Sequence, residues 1–308
     1  MSTLSAAGPS QGARAPEGLT TAAPSLPAQA GTGGRGVASG IDTSSAAHAV
    51  ASAGANKLGR LYLVPAPLDF GCSTQTPLTE VLPAGTLAVA ARLQHWICEN
   101  AKSARAYLKR VGELHPLVGS IQSLDIQELP REVHKKGDHG STSFDARPLL
   151  APALAGQDLG LLSEAGMPAV ADPGSSVVRA AHELGIEVVP LVGPASLLLA
   201  LAASGLSGQN FAFVGYLPQD AVERVTRIRE LESLALKSGQ TQLFIETPYR
   251  NAALQDALLK TLQHNTRLAV ASGLTLAGAQ VRSHTIKHWK QQTPAPGKDA
   301  PAVFAIGR

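Results

Sequence analysis

The stretch from Asp158 to Leu206 limits the possible folds most. Leu159-Gly160-Leu161-Leu162 reads as a buried strand, followed by a loop from Ser163 to Ala171. Asp172 reads as a helix N-cap with Pro173 at the first helical position, where a missing N–H costs nothing. Val177, Val178, Ala181 and Leu184 then recur at helical spacing, and Gly185 closes the helix. Glu187 to Val192 is the next strand, and Gly193-Pro194 opens a helix ending near Gly205. Strand, helix, strand and helix joined by short connections predict a parallel sheet with right-handed crossovers.

The rest of the chain extends this α/β pattern. Leu61 to Val64 is an apolar run ended by Pro65 and Pro67, a strand entering a loop. Thr86 to Ala91 is expected to be a second strand, and Glu99 to Val111 a basic helix stopped by Gly112. Residues 130–152 are polar and weakly patterned and are expected to be a long loop. Beyond a small polar break at Ser204 to Asn210, strands are expected at Phe211 to Tyr216 and Thr241 to Glu246. Later strands are expected at Leu268 to Ala271, Arg282 to Ile286 and Ala302 to Ile306. Helices fall at Ala221 to Lys237 and from Thr247-Pro248 to about Gln263, so this half predicts a mixed sheet.

The length of 308 residues suits two domains, expected at residues 58–206 and 207–308. Residues 1–57 are rich in Ala, Gly, Ser, Thr and Pro and lack aromatic residues. Such a segment cannot bury enough apolar surface to offset its ordering entropy, so it is expected to be disordered. Its run Gly31-Thr32-Gly33-Gly34-Arg35-Gly36 has no preceding strand and reads as tail, not phosphate loop. No apolar run is long enough for a membrane span, and the start lacks the continuous apolar core of a secretory signal. Two cysteines give no disulfide framework, so a reduced cytoplasmic protein is expected. The net charge of +3 does not by itself imply nucleic acid.

In an open parallel sheet, ligands bind beyond the carboxyl ends of the strands. Three such ends carry Gly/Pro loops: Pro65 to Gly71, Ser163 to Gly174, and Val192 to Ser196. Gly lets backbone approach a ligand and Pro holds the loop stiff. The first strand lacks a following Gly-x-Gly-x-x-Gly, which argues against a dinucleotide dehydrogenase. His134 and His139 have no partners at ligand spacing and read as solvated, with no metal implied.

The second loop resembles the Ser-Asp-Ala-Gly-Thr-Pro-x-Ile-Ser-Asp-Pro-Gly signature of the ribosomal small-subunit RNA 2′-O-methyltransferases, a branch of the tetrapyrrole-methylase superfamily. Ala165, Gly166, Pro168, Asp172, Pro173 and Gly174 match, whereas Glu164, Met167 and Ala171 depart. The resemblance continues through Val188-Val189-Pro190-Leu191, Gly193-Pro194, Ala203-Ser204-Gly205-Leu206 and Glu246-Thr247-Pro248-Tyr249-Arg250. It covers about residues 60–308.

The resemblance implies two α/β domains, S-adenosylmethionine in the cleft between them, and a homodimer. The implied cofactor contacts are Pro67 and Leu68; Ala165, Gly166, Pro168 and Asp172; and Gly193, Pro194 and Ser196. The implied acceptor is ribosomal RNA in the small subunit. Glu99 is the expected base or orienting carboxylate, and Lys102, Arg105 and Arg250 are the expected substrate-side cations. Two departures point to an altered acceptor. Cys98-Glu99-Asn100-Ala101-Lys102 stands where the family has Ala-Glu-Asp-Thr-Arg. Ser272 to Ala279 keeps only Leu274 and Thr275 of a charged Arg-Glu-Leu-Thr-Lys-x-x-Glu. The alternatives are a methyltransferase of a tetrapyrrole or other small metabolite, and a non-catalytic cofactor-binding protein.

Overall fold

The computed structural model describes residues 57–130, 133, 144–292 and 301–308. The expected disordered tail, apart from Lys57, lies outside the described residues, as do His134, His139 and much of the polar stretch around them. The described residues belong to one compact unit, Ala53–Arg308.

The first sheet holds β1 (Arg60–Val64), β2 (His95–Cys98), β3 (Asp125–Glu128), β4 (Leu159–Leu162) and β5 (Glu187–Pro190). Its order is β3-β2-β4-β1-β5, and every pairing is parallel. All five strands therefore point their carboxyl ends the same way. β4 is wholly buried, as its unbroken apolar run requires when helices cover both faces of a sheet. The end of the stretch expected to be loop, up to Pro152, instead enters a 3₁₀ turn, Arg147–Leu150, and a helical turn, Ala151–Leu154. Pro148 and Pro152 stand early in these turns, where proline fits, and Leu150 and Ala153 pack into the core.

Thr86 to Ala91, expected as a strand, belongs instead to helix α1 (Ala84–Arg92). Pro83 ends the extended chain before it, and the buried positions Thr86, Leu87, Ala90 and Ala91 repeat at helical spacing. The alanines favour helix over strand. The strand that follows is His95–Cys98, with Trp96, Ile97 and Cys98 buried. Helix α2 (Ala101–Gly112) buries Ala104, Tyr107, Leu108 and Val111 and turns Lys102, Arg105 and Lys109 outward. Asn100 caps it, its side-chain oxygen accepting from the backbone N–H groups of Lys102 and Ser103 at 2.9 and 3.2 Å.

Two helix starts differ from expectation. Helix α3 is Ser175–Glu183, with Gly174 at the cap position, so Asp172 is not the N-cap and Pro173 is not the first helical residue. The cause is the φ of 132° at Gly174, which only glycine adopts readily and which breaks the helical path. Helix α4 is Ser196–Ser204, opened by extended Ala195, so Gly193-Pro194 stays in the loop.

The second sheet contains β6 (Phe211–Tyr216), β7 (Thr241–Glu246), β8 (Arg267–Ser272), β9 (Gln280–Thr285) and β10 (Ala302–Gly307). Its order is β6-β7-β10-β8-β9. β6 and β7 run parallel and the remaining pairs antiparallel, which is the expected mixed sheet. Helix α5 (Ala221–Ser238) is capped by Asp220. After Glu246 the chain makes one 3₁₀ turn, Pro248–Arg250, and enters helix α6 (Asn251–Thr261). A short helix α7 (Ile286–Trp289) links β9 towards β10. Phe244 and Phe304 stack at 5.9 Å in the core of this half. Among the described residues, no helix is long and apolar enough to cross a membrane.

Candidate active site

The loops after β1, β4 and β5 leave the same edge of the first sheet because the strands are parallel and adjacent. The first two are stitched by a pair of backbone hydrogen bonds. Ala66 N–H donates to Gly166 O at 2.9 Å, and Gly166 N–H donates to Ala66 O at 3.0 Å. The Ser163 hydroxyl donates to Gly166 O from beneath at 3.0 Å. Gly166 has a φ of 74°, and a Cβ there would stand 3.1 Å from Leu68 Cδ2 and 3.4 Å from Pro194 O. All three loops thus meet around one residue that cannot carry a side chain without strain. At Gly193 a Cβ would come within 2.2 Å of Pro65, so the third loop also lies directly against the first.

The loop from Ser163 to Gly174 is held in an unusual conformation. Ala169 and Ala171, at φ of 63° and 64°, join Gly166 and Gly174 in the positive-φ region. Each alanine there costs about 1–2 kcal/mol, so the surrounding contacts must hold it. The first loop is also fastened. Asp69 is buried, pairs with Arg110 at 3.1 Å and accepts from Thr76 N–H at 3.1 Å. Arg110 also donates to Thr76 O at 2.6 Å. The Thr76 hydroxyl donates to Thr275 O at 2.9 Å, tying this loop to the segment after β8.

These loops form one wall of a cleft with about 270 Å³ of free volume, just below the usual range of about 300–1,000 Å³ for small-molecule pockets. Leu68, Ala165, Gly166, Asp172 and Ser196, among the expected cofactor contacts, line it. Pro67 lines a neighbouring hollow beside Lys102, which shares Phe70 with the cleft. Pro168, Gly193 and Pro194 lie outside the lining, and Gly193 and Pro194 instead pack against the other two loops. The opposite wall comes from the second sheet, including Tyr216, Ile245, Thr247, Ala271, Gly273 and Val303. Sequence reasoning missed those residues. Their common signal is position at strand ends or just beyond them, which becomes visible only once the strand order is known.

Three carboxylates gather at the ends of β2 and β4. Glu99 Oε1 accepts from Glu164 N–H at 3.3 Å, and Glu164 Oε1 accepts from the Ser103 hydroxyl at 2.9 Å. Burial, reinforced by the Glu164 charge and opposed by the Glu164 N–H, pushes the Glu99 carboxyl up to about 7. Burial, with the charges of Glu99 and Glu164, likewise raises Asp172 to about 7. The Tyr216 phenol is raised by burial and by Asp172 and Glu246. Glu99 therefore sits behind the second loop, in contact with its backbone.

The expected cations lie in different settings. Lys102 and Arg105 are exposed near the start of α2. Arg250 is paired with buried Glu246 at 2.7 Å and lies over Tyr249. Among the described residues, no group of three or more His, Cys, Asp or Glu is arranged to hold a metal ion.

The sequence pattern of Tetrapyrrole (Corrin/Porphyrin) Methylases matches residues 86–289, well over half of the chain. A Ribosomal RNA small subunit methyltransferase I of Mesorhizobium japonicum is 30% identical over 227 residues, 74% of this chain and 67% of that protein. A protein of the same name from Escherichia coli O157:H7 is 30% identical over 220 residues, 71% of this chain and 67% of its own length. With its parallel first sheet, joined loops and facing cleft, the chain belongs to the tetrapyrrole (corrin/porphyrin) methylase family.

Proposed function

We propose that this protein is a cytoplasmic S-adenosylmethionine-dependent methyltransferase acting on RNA, with the cleft as its cofactor site. The observation that carries the reading is the meeting of three loops at Gly166 above a cleft, in a chain similar to ribosomal RNA methyltransferases. The cleft suits the cofactor chemically. Leu68, Val170, Ile245 and Leu274 offer an apolar bed, and Asp172, Ser196 and Thr247 offer polar ends. The crowded carboxylates would favour a cationic ligand, since a positive neighbour relieves their repulsion. Bound there, S-adenosylmethionine would supply an already activated methyl group.

The protein's own work is to hold the acceptor in line and keep water out. Glu99 is the proposed base for the acceptor hydroxyl. A carboxyl titrating near 7 is well matched to accept a proton at neutral pH. Lys102 and Arg105 stand at the end of α2 nearest Glu99 and would receive acceptor phosphates. Arg250, held by Glu246, would act through its remaining N–H groups.

The acceptor is proposed to differ from that of the ribosomal relatives. Asn100 caps α2 where the resembled motif has an acid. The segment that lost its charges lies at the cleft, with Gly273 and Leu274 in its lining. The protein is also proposed to work as a homodimer. Val192, Leu198 and Leu199 are exposed around the start of α4, an apolar surface that a second copy would cover.

Calorimetry with S-adenosylhomocysteine tests the cofactor site, with an expected affinity of micromolar order, about −8 kcal/mol. Gly166→Val is expected to abolish that binding by pushing Leu68 and the Pro194 carbonyl apart. Absence of binding to the native protein would refute the central claim. Labelled methyl transfer to total RNA and to a small-molecule extract then separates the readings. Label in RNA supports the proposal, label in a tetrapyrrole or metabolite replaces it, and binding without transfer points to a non-catalytic role. Complementing a strain that lacks the ribosomal enzyme is expected to leave its ribosomal methyl mark unrestored.

A further inference from the structure

Charge is unevenly spread along this chain. Between Asp256 and Asp299 there is no acidic residue, while Lys260, Arg267, Arg282, Lys287, Lys290 and Lys298 carry +6. The whole chain carries only +3, so the remainder is net negative. The fold concentrates part of this excess at one place. β9 is the last strand of its sheet, with one edge lacking a strand partner among the described residues, and α7 follows it directly.

Arg282 lies over the Trp289 ring at 4.4 Å, and His284 meets His288 at 4.4 Å and the edge of Trp289 at 5.7 Å. Arg267, from β8, donates to Ser283 O at 3.2 Å. Lys287 and Lys290 are exposed on and just after α7. Burial and then the charges of His288, Arg282 and Arg267 hold the His284 imidazole below its usual value. The charged groups acting on that ring are thus all cationic.

The edge also leads to the cleft. Gln280 pairs with Ser272, next to the cleft residues Gly273 and Leu274, whereas Thr285 pairs with Arg267 at the far end. The six residues of β9 span about 17 Å at the ~3.4 Å rise of an antiparallel strand. We propose that β9 and α7 form a docking track for a single-stranded RNA backbone, with Arg282, Lys287 and Lys290 on its phosphates and its near end at the cleft. The charge is complementary, and no carboxylate of this segment opposes a polyanion. The track rests on the reading of the acceptor as RNA.

The test measures RNA affinity separately from catalysis. A short unstructured fluorescein-labelled RNA is titrated by anisotropy with the full chain at several salt concentrations. The variant Arg282→Gln/Lys287→Gln/Lys290→Gln is expected to bind more weakly. Its slope of log affinity against log salt should be shallower by about 2, from ~0.7 per lost contact to a single strand. Lys287→Gln/Lys290→Gln, which leaves the Arg282–Trp289 stack intact, is expected to lose about two thirds as much. Lys109→Gln/Arg179→Gln/Lys237→Gln removes as many cations elsewhere, all of them exposed, and is expected to keep most of the affinity.

All variants should bind S-adenosylhomocysteine as the native protein does, so loss of the track is distinguishable from loss of the cofactor site. The proposal is overturned if the native chain does not bind RNA, if the track variants keep its slope, or if the control variant loses as much. Binding to anionic phosphatidylserine vesicles through these cations, without binding RNA, would overturn it equally.

Discussion

The loops at the end of the first sheet and the outer edge of the second are opposites in charge and in construction. The first region crowds Glu99, Glu164 and Asp172 into a partly desolvated group and raises two of their proton affinities to about 7. The second, β9 with α7, lies within a stretch that has no carboxylate at all. The first is built from backbone: a two-bond bridge, positive-φ alanines and a glycine that admits no side chain. The second presents side chains on a regular strand and a short helix. Proton transfer benefits from a dry site with perturbed carboxylates, whereas a polyanion needs accessible cations. The small net charge hides both, because the +6 of that stretch is partly offset by the net −3 of the remainder, in which the three carboxylates lie.

If the acidic region carries the chemistry, Glu99→Gln should produce the largest change. Methyl transfer is expected to fall by about 10²–10⁴-fold, the usual worth of a positioned base. The native rate should rise with pH along a limb centred near 7 as the carboxyl ionises, and that limb should vanish in the variant. Glutamine keeps an oxygen for the Glu164 N–H, so cofactor affinity should change little. Rate–pH profiles of both proteins check this. A variant that keeps the limb would move the base elsewhere and leave the cluster as architecture.

A smaller effect should follow from freeing the first loop. Arg110→Met removes the cation paired with buried Asp69 and the donor to Thr76 O. Breaking a buried pair from one side costs about 3–5 kcal/mol, and the partial exposure of Arg110 places this near 2–3 kcal/mol. Urea unfolding measures the loss. Adding Asp69→Asn should recover part of it, because the stranded charge goes. A cost below about 0.5 kcal/mol would mean that Asp69 is reached by solvent, and that the loop is held by the Ala66–Gly166 bridge and the Thr76–Thr275 hydrogen bond.

The same contrast explains what the sequence made legible. Leu159–Leu162 was readable because a buried strand needs an apolar run and this one is uninterrupted, whereas Phe211–Tyr216, only half-buried, and Thr241–Glu246, polar at both ends, were readable from their aromatic and β-branched residues. His95–Cys98 is only four residues long and begins with a histidine. Asp125–Glu128 is an edge strand with both ends charged, so neither shows such a run. Thr86 to Ala91 misled because threonine and valine suggest a strand, while Pro83 and the alanine spacing decided for a helix. The near wall of the cleft was readable because Gly and Pro mark loops that must turn or approach closely. The far wall was not, since Tyr216, Ile245, Ala271 and Val303 are ordinary strand residues from four separate segments.

The smallest expected effect concerns Asp172, and its sign sharpens the comparison. Its carboxyl is raised from 3.8 to about 7 by burial and by Glu99 and Glu164, so the folded protein holds this proton more tightly than the unfolded chain. Between about pH 4 and 7 the folded state binds more protons, and stability falls as pH rises. The contribution is fully present below about 4 and is lost as pH passes through 7. Asn carries no such charge, so Asp172→Asn should match the native protein near pH 4 and be more stable at pH 8. The full shift would correspond to about 4 kcal/mol, and partial exposure with coupling to two neighbours reduces the expectation to about 1–2 kcal/mol. Denaturant unfolding at the two pH values measures the difference. The mirror substitution Lys287→Gln, in the stretch of sequence without carboxylates, should leave stability unchanged at both, because that cation is exposed. Destabilisation of Asp172→Asn at pH 8 would mean that hydrogen bonds to the ionised carboxylate outweigh its crowding. The three carboxylates would then form a satisfied network, with no free energy held in reserve for a cationic ligand.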